Sequence, residues 1–201
     1  MVHQLLTFAL FFPGLPLSVL DPIPVFAPNY LATRAATPPR LFRARPASPL
    51  LAPMRAFLTG IGIETEQVRL HGACFLPGLR IDGGRLLIDP ARLQYPGDVL
   101  HEAGHLALTP AAERAALHGN VVESQPEREG DEMAVMLWSY AACQALNLPP
   151  EVVFHPSGYH GQSAWILDNY RQNCFIGLPL LVWMGLTTPE TFPRLTRWLR
   201  A

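Results

Sequence analysis

The sequence predicts an α+β domain, and three features carry that expectation. Between residues 67 and 89, short strand-forming runs alternate with glycine-rich turns, the mark of a small antiparallel sheet. Residues 98–108 form a helical stretch that opens after Pro96-Gly97 and closes at Pro110. Residues 131–146 form a longer apolar stretch at helical period, and further helical segments follow it to give a helical C-terminal half.

Taken in order, residues 1–53 hold ten of the 21 prolines and only five charges. Such a stretch cannot supply a core and is expected to be a disordered or weakly structured arm. Its apolar run from Leu5 to Leu20 raises a secretory signal, yet no Lys or Arg precedes it and Pro13, Gly14 and Pro16 interrupt it. Met54 reads as the better start, so a mis-assigned beginning is the favoured expectation and 54–201 the domain. No other stretch reaches the ~18 unbroken apolar residues of a spanning helix, which argues against stable membrane insertion.

Within the domain, Met54 to Gly62 predicts a short helix with Phe57, Leu58 and Ile61 on one side. Strands are expected at Gln67–Leu70, Ala73–Leu76, Leu79–Asp82 and Arg85–Asp89, with Pro77-Gly78 and Gly83-Gly84 as turns. Asp98 is expected to cap the next helix, which runs to about Leu108. The helix from Asp131 to Leu146 should stop at Asn147 and Pro149-Pro150. Ser163–Arg171, Gly177–Met184 and the amphipathic run Pro189–Arg200 complete the helices expected.

Composition removes several function classes. Hydrophobic residues reach 49% and charged ones 15%, enough to bury a core. Fifteen basic residues, all Arg, against sixteen acidic ones leave a net charge of −1, so no global basic face for nucleic acid exists. Cys74, Cys143 and Cys174 are odd in number and widely spaced. They form neither a disulfide framework nor a CxxC knuckle, and a reducing, cytoplasmic setting is expected. Cys143 and Cys174 read as small buried hydrophobes. Trp138, Trp165, Trp183 and Trp198 read as core or rim aromatics rather than a base-stacking platform.

The chemistry sits at His101-Glu102-Ala103-Gly104-His105. On a helix, residues four apart are one turn apart, so both imidazoles share a face and can hold one Zn²⁺ at about 2.0–2.1 Å. Glu102 lies about 100° around the helix, where it can take a proton from a water without ligating the metal. Gly104 costs roughly 1 kcal/mol against Ala in a helix, which a close approach by another backbone would explain.

This HExxH motif resembles the zincin metallopeptidases, and the HEAGH version is similar to the small gluzincin type, including ImmA/IrrE-like domains. The resemblance covers roughly residues 95–148. It implies a small sheet packed on the motif helix, with an edge strand that holds an extended peptide substrate. It also implies His101 and His105 as zinc ligands, Glu102 as general base, and a Glu on a second helix as third ligand. The long HExxHxxGxxH class does not fit, because Leu108 and Ala111 stand at its Gly and His positions. Helix-turn-helix modules that sometimes accompany ImmA-like domains are not seen, and a regulatory role gains no support.

The residues leave the third ligand between two candidates. Glu132 shares a helical stripe with Val135, Met136, Ser139, Cys143 and Leu146, where an unpaired carboxylate would be costly and a cation its natural partner. Glu127 follows Pro126, and Glu127-Arg-Glu-Gly-Asp131 is similar to the ExxAD pattern of some gluzincins, which makes Glu127 the ligand and Asp131 its orienter. Burial favours Glu132. The loop carrying His155, Tyr159 and His160 reads as a plain surface turn held by Pro156 and Gly158, the alternative being that it folds over the cleft to give a donor to a developing oxyanion. Asp168 and Asn169 read as a solvated face. The expected activity is a zinc-dependent peptidase acting on a peptide or protein. A zinc hydrolase of small amides, and a non-catalytic metal- or partner-binding module, are the alternatives.

Overall fold

The structure, a computed structural model, describes residues 47–72, 74–119 and 130–201. The chain divides into Met1–Leu41 and Phe42–Ala201, and every described residue belongs to the second unit. Helix α1 (Leu51–Gly60) starts three residues ahead of Met54 and buries Leu51, Met54 and Leu58, the i, i+3, i+7 stripe of one face. Gly62, at φ 93°, turns the chain out of it while Ile63 N–H donates to the Leu58 carbonyl at 2.9 Å.

Strand β1 (Thr65–Gln67) follows, then β2 (Leu79–Asp82) and β3 (Arg85–Ile88). The last two form a hairpin around Gly83-Gly84, whose φ values of 60° and 78° are those a type I′ turn requires. The four strands run in the order β1-β3-β2-β4, with β4 only His118–Gly119. The class is α+β, as expected, but the sheet is mixed. β1 lies parallel to β3, Thr65 opposite Leu86, because it pairs with the strand beyond its neighbour in sequence. A turn-based reading sees hairpins and not such pairings.

The strand expected at 73–76 reduces to a single bridge between Leu76 and Leu79, and Ala73 lies outside the described residues. Leu70 is held by side chains instead. Its N–H donates to Asp89 Oδ2 at 3.0 Å, and Arg92 donates to its carbonyl at 2.6 Å and to that of Gly72 at 2.9 Å.

Leu79, Ile81, Leu86 and Ile88 join one core with Val99, Leu100, Ala103 and Leu106 of helix α2 (Asp98–Leu108). A short helix α3 (Ala111–Arg114) precedes β4. Helix α4 (Glu132–Ala145) crosses α2 at Gly104, where a Cβ would stand 2.9 Å from Val135 Cγ1 and 3.3 Å from the Val135 carbonyl. This is the close approach that the glycine foretold. Ser139 ties the pair further, donating within reach of the Leu100 and Val135 carbonyls at 3.3 and 2.8 Å.

Helix α5 (Ser163–Arg171) has the bounds expected, and helix α6 (Leu178–Trp183) is a shorter form of the Gly177–Met184 segment. Residues 189–200 correct the sequence reading, because they form turns rather than an amphipathic helix. Their backbone groups bond across the fold. Thr196 N–H reaches the Leu186 carbonyl, Arg200 N–H that of Ala107, and Trp138 Nε1–H donates to the Trp198 carbonyl, all at 2.9 Å. Together with Arg114, which donates to the Leu106 and Thr109 carbonyls, Arg200 satisfies the open C-terminal end of α2.

The tryptophans divide between core and surface, within the core-or-rim expectation, and one cysteine expectation changes. Trp138 is fully buried, whereas Trp183 is 71% and Trp165 41% exposed. Cys143 is buried as expected, but Cys174 lies on the surface. Among the described residues, no helix is long and apolar enough to cross a membrane.

Candidate metal centre

The motif helix presents both imidazoles to the side on which α4 begins. His101, Glu102 and His105 offer ligand atoms that all lie within 4.8 Å of one another. Glu132, the first residue of α4, comes closer to the rings than that. One carboxylate oxygen stands 3.3 Å from His101 Nε2 and the other 3.5 Å from His105 Nε2. Ligands at 2.0–2.1 Å around a tetrahedral ion are about 3.3 Å apart, and each Glu132 oxygen stands at about that spacing from one of the rings. Two imidazole nitrogens and a carboxylate oxygen are also a donor set that zinc accepts. The residues present fit the ion.

Four residues singled out from the sequence, His101, Glu102, His105 and Glu132, are thus brought together. Val135, Met136, Ser139 and Cys143 are buried along α4, with Glu132 at the open end of their row. Glu127 and Glu129 lie outside the described residues.

Glu102 is 6% exposed, and burial pushes its carboxyl up to about 7, with the charges of Glu132 and Asp98 adding to the rise and His101 opposing it. Its ligand atom lies within 4.8 Å of those of both rings.

Asp98 does not cap α2. The helix makes no side-chain cap bond, and Asp98 turns inward, its Oδ1 3.2 Å from His155 Nε2. Burial raises the Asp98 carboxyl above its ordinary value, and the His155 hydrogen bond works against that rise. The His155 ring stacks on Tyr95 at 3.7 Å and 9°, and Tyr95 Oη is 2.8 Å from Ser157 Oγ. These partners were missed. The signal available was that Asp98 is three residues before His101 and so shares its helical face.

The loop at 155–161 is no plain surface turn, yet it packs behind His101 and not over the Nε2 side where an oxyanion donor would stand. Tyr159 Oη stands 3.1 Å from His101 Nδ1, so the tyrosine meets the back of the imidazole. Tyr159 and His160 hold φ values of 53° and 51°, a left-handed conformation that non-glycine residues rarely adopt, costing on the order of 1–3 kcal/mol each. Burial holds the Tyr159 hydroxyl well above its ordinary range, so it stays protonated and can donate or accept. His160 is exposed, as is His118, which sits on β4 with Nδ1 3.0 Å from Asp82. Asp168 pairs with Arg171 at the surface, the solvated face expected of it. No protein-family model, curated protein or solved structure matches the chain.

Proposed function

We propose that this protein is a zinc-dependent hydrolase of the zincin type that cleaves peptide bonds in a peptide or protein substrate. The observation that carries the reading is the Glu132 carboxylate spanning His101 Nε2 and His105 Nε2 at 3.3 and 3.5 Å, on a helix packed against the motif helix. His101, His105 and Glu132 would hold the ion, which when bound supplies a Lewis acid to polarise a carbonyl and acidify a water. Glu102 is the general base. Its carboxylate lies one residue along from His101, with a ligand atom within 4.8 Å of those of both rings, and it can accept the water's proton and return it to the leaving amine. A purely structural metal site has no use for such a residue.

The test begins with elemental analysis, which should find about one zinc per chain. Glu132→Ala should lose that zinc at retained fold, and Glu127→Ala should keep it. Zinc lost only from Glu127→Ala would pass the ligand role to Glu127. On a quenched random-peptide library, Glu102→Gln should keep the metal while turnover falls by about 10²–10⁴. Wild-type protein that holds no metal, or a Glu102→Gln variant with full turnover, overturns the proposal. Cleavage of small acyl amides but not of peptides would move the substrate class while leaving the metal centre in place.

A further inference from the structure

We infer that Tyr159 is a positioning residue for His101, a hydroxyl able to hold Nδ1 whether Nε2 carries a proton or a metal ion, and that the segment 152–157 is clamped to α2 to place it. The inference rests on the metal-centre reading and deepens it.

The clamp is built from four contacts between residues 95–98 and residues 152–157. Gly97 lies so close to the Val152 carbonyl that a Cβ there could not fit. Tyr95 stacks flat on His155, and its hydroxyl meets Ser157 Oγ at 2.8 Å. Asp98 Oδ1 takes His155 Nε2 at 3.2 Å, while His155 Nδ1 is buried with no partner among the described residues. The His155 ring is thus oriented for Asp98. Ser163 fastens the far side by donating to the His155 carbonyl at 2.7 Å. Between these anchors the chain turns through two left-handed non-glycine residues, Tyr159 and His160, which sends the Tyr159 ring back over Phe154 and edge-on to His101. An outlier conformation persists where its surroundings over-determine it, and here they do.

The chemistry explains why a hydroxyl suits this place. With no metal, His101 Nε2–H can donate to the Glu132 oxygen 3.3 Å away, and Nδ1 then needs a donor, which the Tyr159 O–H provides. When Nε2 ligates a metal it must be bare, so the ring's proton sits on Nδ1 and donates to the Tyr159 oxygen. One proton changes nitrogen, the hydroxyl turns about its C–O bond, and no heavy atom has to move. A carboxylate could serve only the second state, since it cannot donate.

The experiment uses the full-length protein and Tyr159→Phe, with zinc as the probe. Competition against a chromophoric chelator should show the zinc dissociation constant rising about 10- to 100-fold in the variant, while the metal-free protein stays folded but melts lower, because His101 Nδ1 loses its donor. In ¹⁵N imidazole spectra of the zinc-loaded wild type, the His101 Nδ1–H should be protected from exchange, and Tyr159→Phe should lose that protection. A structural role alone would move neither. Equal zinc affinity with the protected proton retained overturns the inference and leaves the metal centre standing, whereas wild-type protein that binds no zinc removes both. If Tyr159→Phe does not fold, Ser157→Ala loosens the clamp from an exposed position. Weaker zinc binding at unchanged melting then supports the inference, and equal binding overturns it.

Discussion

Single side chains in this protein are governed by what covers them. Cys143 is fully buried on α4, and burial pushes its thiol up to about 12, with the Glu151 charge adding to the rise. The unfolded chain loses this proton near pH 9, so below that the thiol's contribution to stability is intact. As pH rises above 9 the unfolded state deprotonates while the folded state does not, and stability falls by about 1.4 kcal/mol per pH unit. Urea unfolding between pH 8 and 10.5 should show stability falling more steeply in wild type than in Cys143→Ala, the difference being the thiol's share, since the buried Tyr159 and Tyr170 hydroxyls add a common decline near pH 10. Parallel slopes would mean the thiol ionises freely in the folded protein. With a thiol reagent at pH 8, the exposed Cys174 should react in the native state and Cys143 only after unfolding.

At the scale of elements, the site depends on how closely α2 and α4 approach. Gly104 sits between the two motif histidines and faces Val135, so Gly104→Ala places a methyl 2.9 Å from Val135 Cγ1. The helix gains about 1 kcal/mol of propensity, but overpacking costs about 1–3 kcal/mol, since Val135 is stiff at χ1 and its carbonyl is backbone. The net expectation is a loss of about 1 kcal/mol, read as a lower denaturant midpoint at unchanged m. Zinc binding should weaken with it, because α4 carries Glu132. A Gly104→Ala protein as stable as wild type would show that the helices can part at no cost. Helix α2 is likewise finished by its neighbours, since Arg114 and Arg200 occupy the carbonyls at its C-terminal end.

For the molecule as a whole, the folded unit begins earlier than its composition suggested. Leu51 is 2% exposed and opens the stripe that α1 lays on the core, so a cut at Met54 removes a core residue and the first turn of a helix. A chain starting at residue 47 should melt as the full protein does. One starting at Met54 should lose about 2–5 kcal/mol, the usual range for deleting a buried leucine. Equal melting of both fragments in calorimetry would show that the α1 face repacks without Leu51.

The sequence by itself determined whatever is local in this protein. A four-residue spacing set His101 and His105 on one face, alternation and paired glycines set the β2–β3 hairpin, and a helical stripe with a single acid picked out Glu132. Even Gly104 announced a neighbour before the neighbour was known. What depended on distant partners was not legible. Asp98 looked like a helix cap because capping is a local habit, and it pairs with His155 instead, 57 residues away. Residues 189–200 carry a helical pattern, yet bonds to Leu186, Ala107 and Trp138 satisfy their backbone and side chains better than a helix would. β1 is parallel to β3 because it pairs across the β2–β3 hairpin rather than with its neighbour in sequence, and no turn residue encodes that. Periodicity reports which face of a segment seeks cover, whereas only the packed chain decides what covers it.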